Sequence, residues 1–516
     1  MTTEAVVVGS GPNGLAAAIT LAEAGHTVTV LERAGHLGGA VATEELTLPG
    51  FRHDTFSSVY PAAAASPVFG RWPLERHGLR WVHPRYCYAH PLPDGRAAVL
   101  ARDVEETAAS LDALHPGDGE AWRRFVLPYV EHFDAWQQTM LSGFPPVAGP
   151  LRLFATLRLA GTLEWARLLL MPAQALAREL FGADGARAWL YGAAIHGDVP
   201  PTGAGSAIAA AHLNVMGHAV GWPSPEGGAA GLADALVGHL TALGGRTRMQ
   251  APVRSIAVAR RQVVGVELEN GERVPGRIVI ADVTPHALLA LAGDALDGRY
   301  ADALSRFRYG PATLKVDWAL SGPVPWTAPE AREAGTVHVG GTEQEMLDAP
   351  APGATGLPER PLLLFGQQSI ADPTRAPAGK HTAWAYTHGH QDADWAHETD
   401  RQVERVEAQI ERFAPGFRDL ILARHVQSPA DLQHRNPNLV SGDVGTGSYA
   451  LDQVIFRPLP SLTPYRTPVR GLFLGSAAAF PGGAAHGVPG RAAARAALLD
   501  ARVRRPYLPL RRGVRV

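Results

Sequence analysis

The sequence predicts an α/β fold in which one domain is assembled from separated stretches of chain and an α+β domain is inserted between them. Three observations predict it. Residues 4–32 read as strand, glycine motif, helix and second strand; residues 471–499 read as a strand followed by a glycine-rich helix start; and the long stretches between show helical periodicity first and alternating strands later. Length and composition allow it: 516 residues with 46% hydrophobic and 19% charged hold apolar material for more than one core, which excludes a disordered chain.

The first element is the most informative. Residues 5–8 (AVVV) form a β-branched run suited to a buried strand, and Gly9-Ser10-Gly11-Pro12-Asn13-Gly14 follows at once. Residues 15–24 read as a helix of small and aliphatic residues closed by Gly25, and 26–31 alternate as a second strand ending at Glu32. This βαβ unit has the glycine spacing a dinucleotide needs. Gly9 allows the tight turn, Gly11 lets the backbone approach a pyrophosphate, and Gly14 lets helix and strand pack closely, so that the helix N-terminus, with Pro12 and Asn13 just before it, faces the phosphates. Glu32, 23 residues after Gly9, is placed to accept hydrogen bonds from both hydroxyls of an adenosine ribose, which disfavours a 2′-phosphate.

The later elements are shorter. Residues 262–274 read as a hairpin with Asn270-Gly271 as a type I′ turn signal. Residues 471–475 form a buried strand, and Pro481-Gly482-Gly483, Gly487 and Gly490 open a final helix through Leu499, whose N-terminus can stabilise negative charge. Gly203-Ala204-Gly205 and Gly445-Thr446-Gly447 lack a preceding strand and read as loops, so no second dinucleotide domain is expected.

Composition narrows the function. With 47 Lys+Arg against 49 Asp+Glu the formal charge is −2, which leaves no electrostatic footprint for nucleic acid. The single cysteine, Cys87, excludes an intramolecular disulfide framework, a thiolate zinc site and a CxxC pair, so redox chemistry has to come from a cofactor. Residues 1–4 carry no basic leader and run straight into the first strand, and no stretch reaches the roughly 18 apolar residues of a spanning helix. A cytoplasmic protein is expected. The nearest thing to a membrane segment is 151–180, where Leu, Phe, Ala and Met alternate with Arg152, Arg158, Arg167 and Arg178; a solvated helix pair is the plain reading and peripheral membrane contact the alternative.

A second glycine pair, Gly38-Gly39, follows Glu32, and later motifs continue the pattern: 225–228 (PEGG), 278–285 (IVIADVTP), 435–438 (RNPN), Gly442-Asp443, 456–458 (FRP) and 464–467 (PYRT). On these residues the chain resembles, nearly end to end, the phytoene desaturase-related FAD oxidoreductases of the amine oxidase superfamily, in the branch of pyridine nucleotide-disulphide oxidoreductase-like proteins. The resemblance implies FAD held by a discontinuous Rossmann-type domain of the glutathione reductase-like kind. It puts Gly38 and Gly39, with Arg33 and Ala40 beside them, along the ribityl chain and flavin ring. It puts Val253 against the adenine, Gly475 and Ser476 near the phosphates or ribityl chain, and Gly487, Val488 and Pro489 near the pyrimidine edge. Ala40, where many relatives have Arg, and the short Pro481-Gly482-Gly483-Ala484 run make a carotenoid substrate less secure.

The implied cofactor domain spans 1–75, 222–295 and 440–516, and the substrate domain 76–221 and 296–439. The first insert reads as helical; the second carries strands at 312–320, 361–365 and 382–387, and a sheet with helices beside it, placed above the flavin, would make an apolar pocket suited to a hydrophobic substrate. Lys315 resembles in its place the amine oxidase lysine that holds a water beside flavin N5, against the simpler reading of an exposed strand lysine paired with Asp317. His53, Ser57, Ser58 and His486 are candidates to line the substrate site, and His196, Tyr449 and Arg435 are further proton handlers among which spacing does not choose. The His388, His390, Asp392 and His397 loop is read without a metal. The expected function is hydride transfer from a hydrophobic small molecule to FAD, forming C=C or C=N, with oxygen or a quinone as acceptor. Amine oxidation, a redox-neutral isomerisation and a non-catalytic flavin-stabilised interaction protein remain as alternatives, and the sequence sets no oligomeric state.

Overall fold

The computed structural model describes residues 4–348 and 357–503; the end of the predicted C-terminal segment, 504–516, lies outside them, as do 1–3 and 349–356. The chain begins with β1 (Glu4–Val8), α1 (Pro12–Glu23) and β2 (Thr27–Leu31). It leaves through β3 (Tyr86–Pro91) and β4 (Ala97–Ala101) into helices that include α2 (Ala148–Leu168), α3 (Ala173–Leu180) and α4 (Ser206–Val220). Next, α5 (Ala230–Ala242) leads back to β5 (Arg246–Arg248), β6 (Val253–Ala259), β7 (Gln262–Leu268), β8 (Arg273–Pro275) and β9 (Ile278–Ala281). The second excursion holds β10 (Ala312–Leu320), β11 (Ala334–Val339), β12 (Leu363–Gly366), β13 (His381–Gly389), α6 (Trp395–Glu411) and β14 (Ile421–Gln427). The chain returns with β15 (Leu472–Leu474) and α7 (Val488–Val503).

Five parallel strands in the order β15-β9-β1-β2-β5 form the first sheet. Ala5 and Val7 bury against α1, α5 and α7 on one face, while Val6 and Val8 bury against the antiparallel β6-β7-β8 sheet on the other. Both faces are covered, which is why 5–8 is uniformly apolar rather than alternating. The hairpin of β7 and β8 forms as expected but its turn differs: only Gly271 takes a positive φ (+85°), and its N–H donates to Leu268 O. A type I turn closed by a left-handed glycine replaces the expected type I′ turn, because Asn270 keeps a negative φ.

The second sheet has seven strands in the order β14-β10-β13-β12-β11-β3-β4. Leu314, Val316 and Trp318 of β10 pack with Val403, Val406 and Ile410 of α6. At the other end Tyr88, Ala98 and Leu100 join a helical layer holding Trp122 and Trp189. The sequence reading placed no strand in the first insert, and this is corrected by β3 and β4. Both are buried along their whole length, so they lack the period-two alternation that marks a strand. The 151–180 stretch forms α2, interrupted at Arg158 (φ 56°), and α3. Among the described residues no helix is long and apolar enough to cross a membrane.

Candidate active site

A cavity of about 1000 Å³ runs from the C-terminal ends of β1, β2 and β9 to α2 and α4. Open parallel sheets bind ligands at that edge. Of the residues predicted for the cofactor, Gly9, Gly11, Pro12, Asn13, Glu32 and Arg33 line one end, and Gly39, Ala40, Val253 and Ser476 continue along it. Gly14, Gly38, Gly475, Gly487 and Val488 do not line it, and packing explains why. A Cβ on Gly14 would stand 2.2 Å from Gly9 O; on Gly38, 2.5 Å from Val41 O; on Gly475, 2.8 Å from Ile280; on Gly487, 2.6 Å from Phe69. Val488 begins α7 inside the core.

The dinucleotide end is held rigid by hydrogen bonds to its main chain. Gly9 takes a φ of +97° and donates to Leu31 O at 2.9 Å. Glu32 accepts from Ser10 N (2.9 Å) and Ser10 Oγ (2.7 Å) with one carboxylate oxygen and from Ala34 N (2.8 Å) with the other. Ser10 Oγ also accepts from Gly38 N at 3.1 Å, so the acid and the glycine pair are tied through one hydroxyl. Asn13 Oδ1 is buried beside the cavity with no partner, as fits a group awaiting a ligand. A glycine turn, a helix N-terminus and an acid at the end of β2 suit FAD.

The other end is apolar, walled by Trp165, Leu169, Ile208, Met216, Leu451 and Phe480. Its polar groups are neutral. Burial pulls His196 and His486 down to about 3 and His212 to about 4. His212 Nδ1 accepts from Trp136 Nε1 (3.0 Å) and His486 Nδ1 from Val488 N (3.2 Å), which puts the proton of each neutral imidazole on Nε2, where that of His486 is directed to the Gly483 main chain. His196 Nε2 lies 2.9 Å from His338 Nε2. Burial raises the Tyr449 phenol, whose oxygen accepts from Gly483 N at 2.9 Å and whose ring lies 4.8 Å from the buried Arg457 guanidinium.

Ser57 and His486 line the cavity as predicted; His53, Ser58 and Lys315 do not. Lys315 is 2% exposed, so the exposed-lysine reading is corrected as well, while its pairing with Asp317 is present at 2.6 Å. Its ammonium also donates to Asp54 O (3.0 Å), and His53 Nδ1 sits 3.6 Å from Asp317. Arg375 joins Asp54 (2.8 Å) and Asp372 (2.9 Å) in the same buried region. The odd-numbered face of β10 thus meets this charged layer instead of the cavity, and the apolar walls come from α2, α4 and the 444–486 stretch rather than from the sheet. His388 pairs with Asp198 at 3.2 Å, and among the described residues no group of three or more His, Cys, Asp or Glu is arranged to hold a metal.

Sequence reasoning missed Asp282. Val8 of β1 pairs with Ala281 of β9, so the residues that follow, Gly9 and Asp282, lie side by side. The signal was available as an acid directly after a strand run, but only the strand order shows which turn it faces.

Fold and site together define a flavin-dependent oxidoreductase. A family described as flavin containing amine oxidoreductase matches residues 95–498, and an NAD(P)-binding Rossmann-like domain matches 7–72. The chain belongs to the flavin-containing amine oxidoreductases and is an FAD-dependent enzyme. It is 28% identical to pyridine nucleotide-disulfide oxidoreductase domain-containing protein 2 of Rattus norvegicus, over 96% of this chain and 93% of the relative. It is 25% identical to a phytoene desaturase (neurosporene-forming) of Rhodobacter capsulatus, over 94% and 91%. The fold is shared with an oxidoreductase from Methanosarcina mazei at a TM-score of 0.64 and 16% identity, covering 96% of this chain and 100% of that one.

Proposed function

We propose that the protein dehydrogenates an uncharged, hydrophobic small molecule, forming C=C in preference to C=N. The observation that carries this reading is the separation of charge along the cavity. Among the described residues, the carboxylates that line it, Glu32, Glu269 and Asp282, lie toward the dinucleotide end, whereas the apolar end offers neutral imidazoles, a phenol and hydroxyls. A protonated amine would find no counter-ion there.

When bound, FAD would supply a hydride acceptor, with oxygen or a quinone as the proposed final electron acceptor. The glycine turn and Glu32 would hold the nucleotide, and His486, just before α7, lines the cavity near that helix's positive dipole end. Apolar walls exclude water and orient the reacting carbon, and His212 has an Nε2 proton to donate. The relative named as a phytoene desaturase supports a long apolar substrate. The domain partition proposed is 1–75, 222–295 and 440–516 for the cofactor and 76–221 and 296–439 for the substrate. Helix α2 lines the cavity through Pro150 and Trp165 while Leu151, Phe154, Leu159 and Leu163 are exposed on it, which supports loading from a membrane surface.

The test is product analysis after incubation with an isoprenoid hydrocarbon and, separately, a primary amine. Loss of two hydrogens from the hydrocarbon with consumption of acceptor is expected. Oxidation of the amine alone would overturn the reading, and rearrangement of the hydrocarbon without acceptor would replace it with an isomerase.

A further inference from the structure

The parallel register that sets Gly9 beside Asp282 also aims the Asp282 side chain across the first turn of α1. Its Oδ2 accepts from Gly14 N at 2.8 Å, and a Cβ on Gly11 would stand 2.7 Å from the same oxygen. The carboxyl therefore occupies part of the helix N-terminus at which a dinucleotide's pyrophosphate is bound. Its main chain is fixed from both sides, the N–H donating to Val8 O (2.8 Å) and the C=O accepting from Asn438 Nδ2 (3.0 Å), which holds its Cβ beside the turn.

Nothing nearby neutralises it. Among the described residues no Lys, Arg or His lies within ion-pair distance of Asp282, which is 6% exposed and lines the cavity. Gly9, Gly11 and Gly14 face it from the turn and the start of α1, and Asn438 comes from the stretch that follows β14 and the 429–435 helix, all uncharged. Arg435, the last residue of the 429–435 helix, is paired with Glu44 at 2.7 Å, Arg33 is exposed just after β2, and Glu32 beside it adds a second acid. Burial, with Glu32 adding to it against the pull of Gly14 N–H, pushes the Asp282 carboxyl up to about 7. An ionised carboxylate and a pyrophosphate would be two anions on one helix end.

We propose that Asp282 holds the pyrophosphate side of FAD only as the neutral acid, so that cofactor binding takes up one proton from solvent. The neutral carboxyl keeps its bond from Gly14 N–H and gains an O–H to donate. The sign follows: binding is strongest below the carboxyl's own titration and weakens above it, by up to about tenfold per pH unit. This deepens the FAD assignment and rests on it.

The test uses the purified full-length holoprotein, diluted at pH 6 to 9, with FAD release read by the rise in flavin fluorescence. Wild type is expected to bind FAD progressively more weakly above pH 7, whereas Asp282→Asn, which keeps the acceptor for Gly14 without the charge, is expected to show a flat profile. A flat wild-type profile, or a variant with the wild-type slope, would overturn the proposal. Should Asp282→Asn fail to fold, calorimetric binding of FAD to wild type near pH 7.5 in two buffers of different ionisation enthalpy decides: uptake of a fraction of a proton supports it, and none overturns it. Absence of FAD binding at every pH would overturn the cofactor assignment together with it.

Discussion

The two ends of the cavity are made from the sequence in opposite ways. At the dinucleotide end, Gly9, Gly11, Pro12, Asn13, Glu32 and Arg33 line the cavity, all from the first βαβ unit and the residues that close it, with main-chain N–H groups and acids as the proposed cofactor partners. At the apolar end, Trp165, His196, Ile208, Tyr449 and Phe480 come from segments hundreds of residues apart and contribute side chains. A site built from backbone geometry needs particular residue types at fixed spacing and so leaves a motif. A wall of side chains needs only bulk and apolarity, which leaves none.

The largest effect is expected away from both ends, in the charged layer that separates β10 from the cavity. Lys315→Met leaves Asp317 buried without its partner and should cost about 3–5 kcal/mol of unfolding free energy at pH 8. Burial already raises the Asp317 carboxyl to about 6, so in the variant it takes up a proton at pH 5 and the loss should shrink there. Urea unfolding at the two pH values reads this, and flavin reduction and reoxidation should keep wild-type rates. Slowed half-reactions in a fully stable variant would return Lys315 to the reacting carbon. Next, Glu32→Ala should weaken FAD retention by about tenfold or more through the lost ribose acceptor and the slackened Ser10, as measured by FAD remaining after dialysis. The apolar end should be untouched, and unchanged occupancy would refute the ribose role. The smallest effect on the fold is expected for Leu159→Glu with Leu163→Glu, both exposed on α2, which should leave stability within about 0.5 kcal/mol. Co-sedimentation with anionic phospholipid vesicles should nonetheless fall, and undiminished sedimentation would remove α2 from the loading surface.

The same contrast governs what was legible in the sequence. The β1–α1–β2 unit, the hairpin and the strand at 312–320 could be read from glycine spacing and alternation, and they form where expected. Strands β3 and β4 could not, because burial on both faces erases alternation. For Lys315 the strand and the partner Asp317 were legible, but its burial was not: whether a strand face meets solvent, a cavity or another domain depends on what packs against it. Asp282 gains its meaning only from the β1–β9 pairing between residues far apart in sequence. The wall of α2 and α4 is the extreme case, since α2, read as half of a solvated helix pair, lines a site that a sheet with helices beside it was expected to form.

The most direct measurement is the flavin absorption band of the purified protein under anaerobic conditions, followed as an isoprenoid hydrocarbon or a primary amine is added. One FAD per chain, bleached by the hydrocarbon and left oxidised by the amine, is the expected result. Bleaching by the amine alone, or a protein with no flavin band after FAD is supplied, would contradict a cavity that joins FAD to an uncharged apolar substrate.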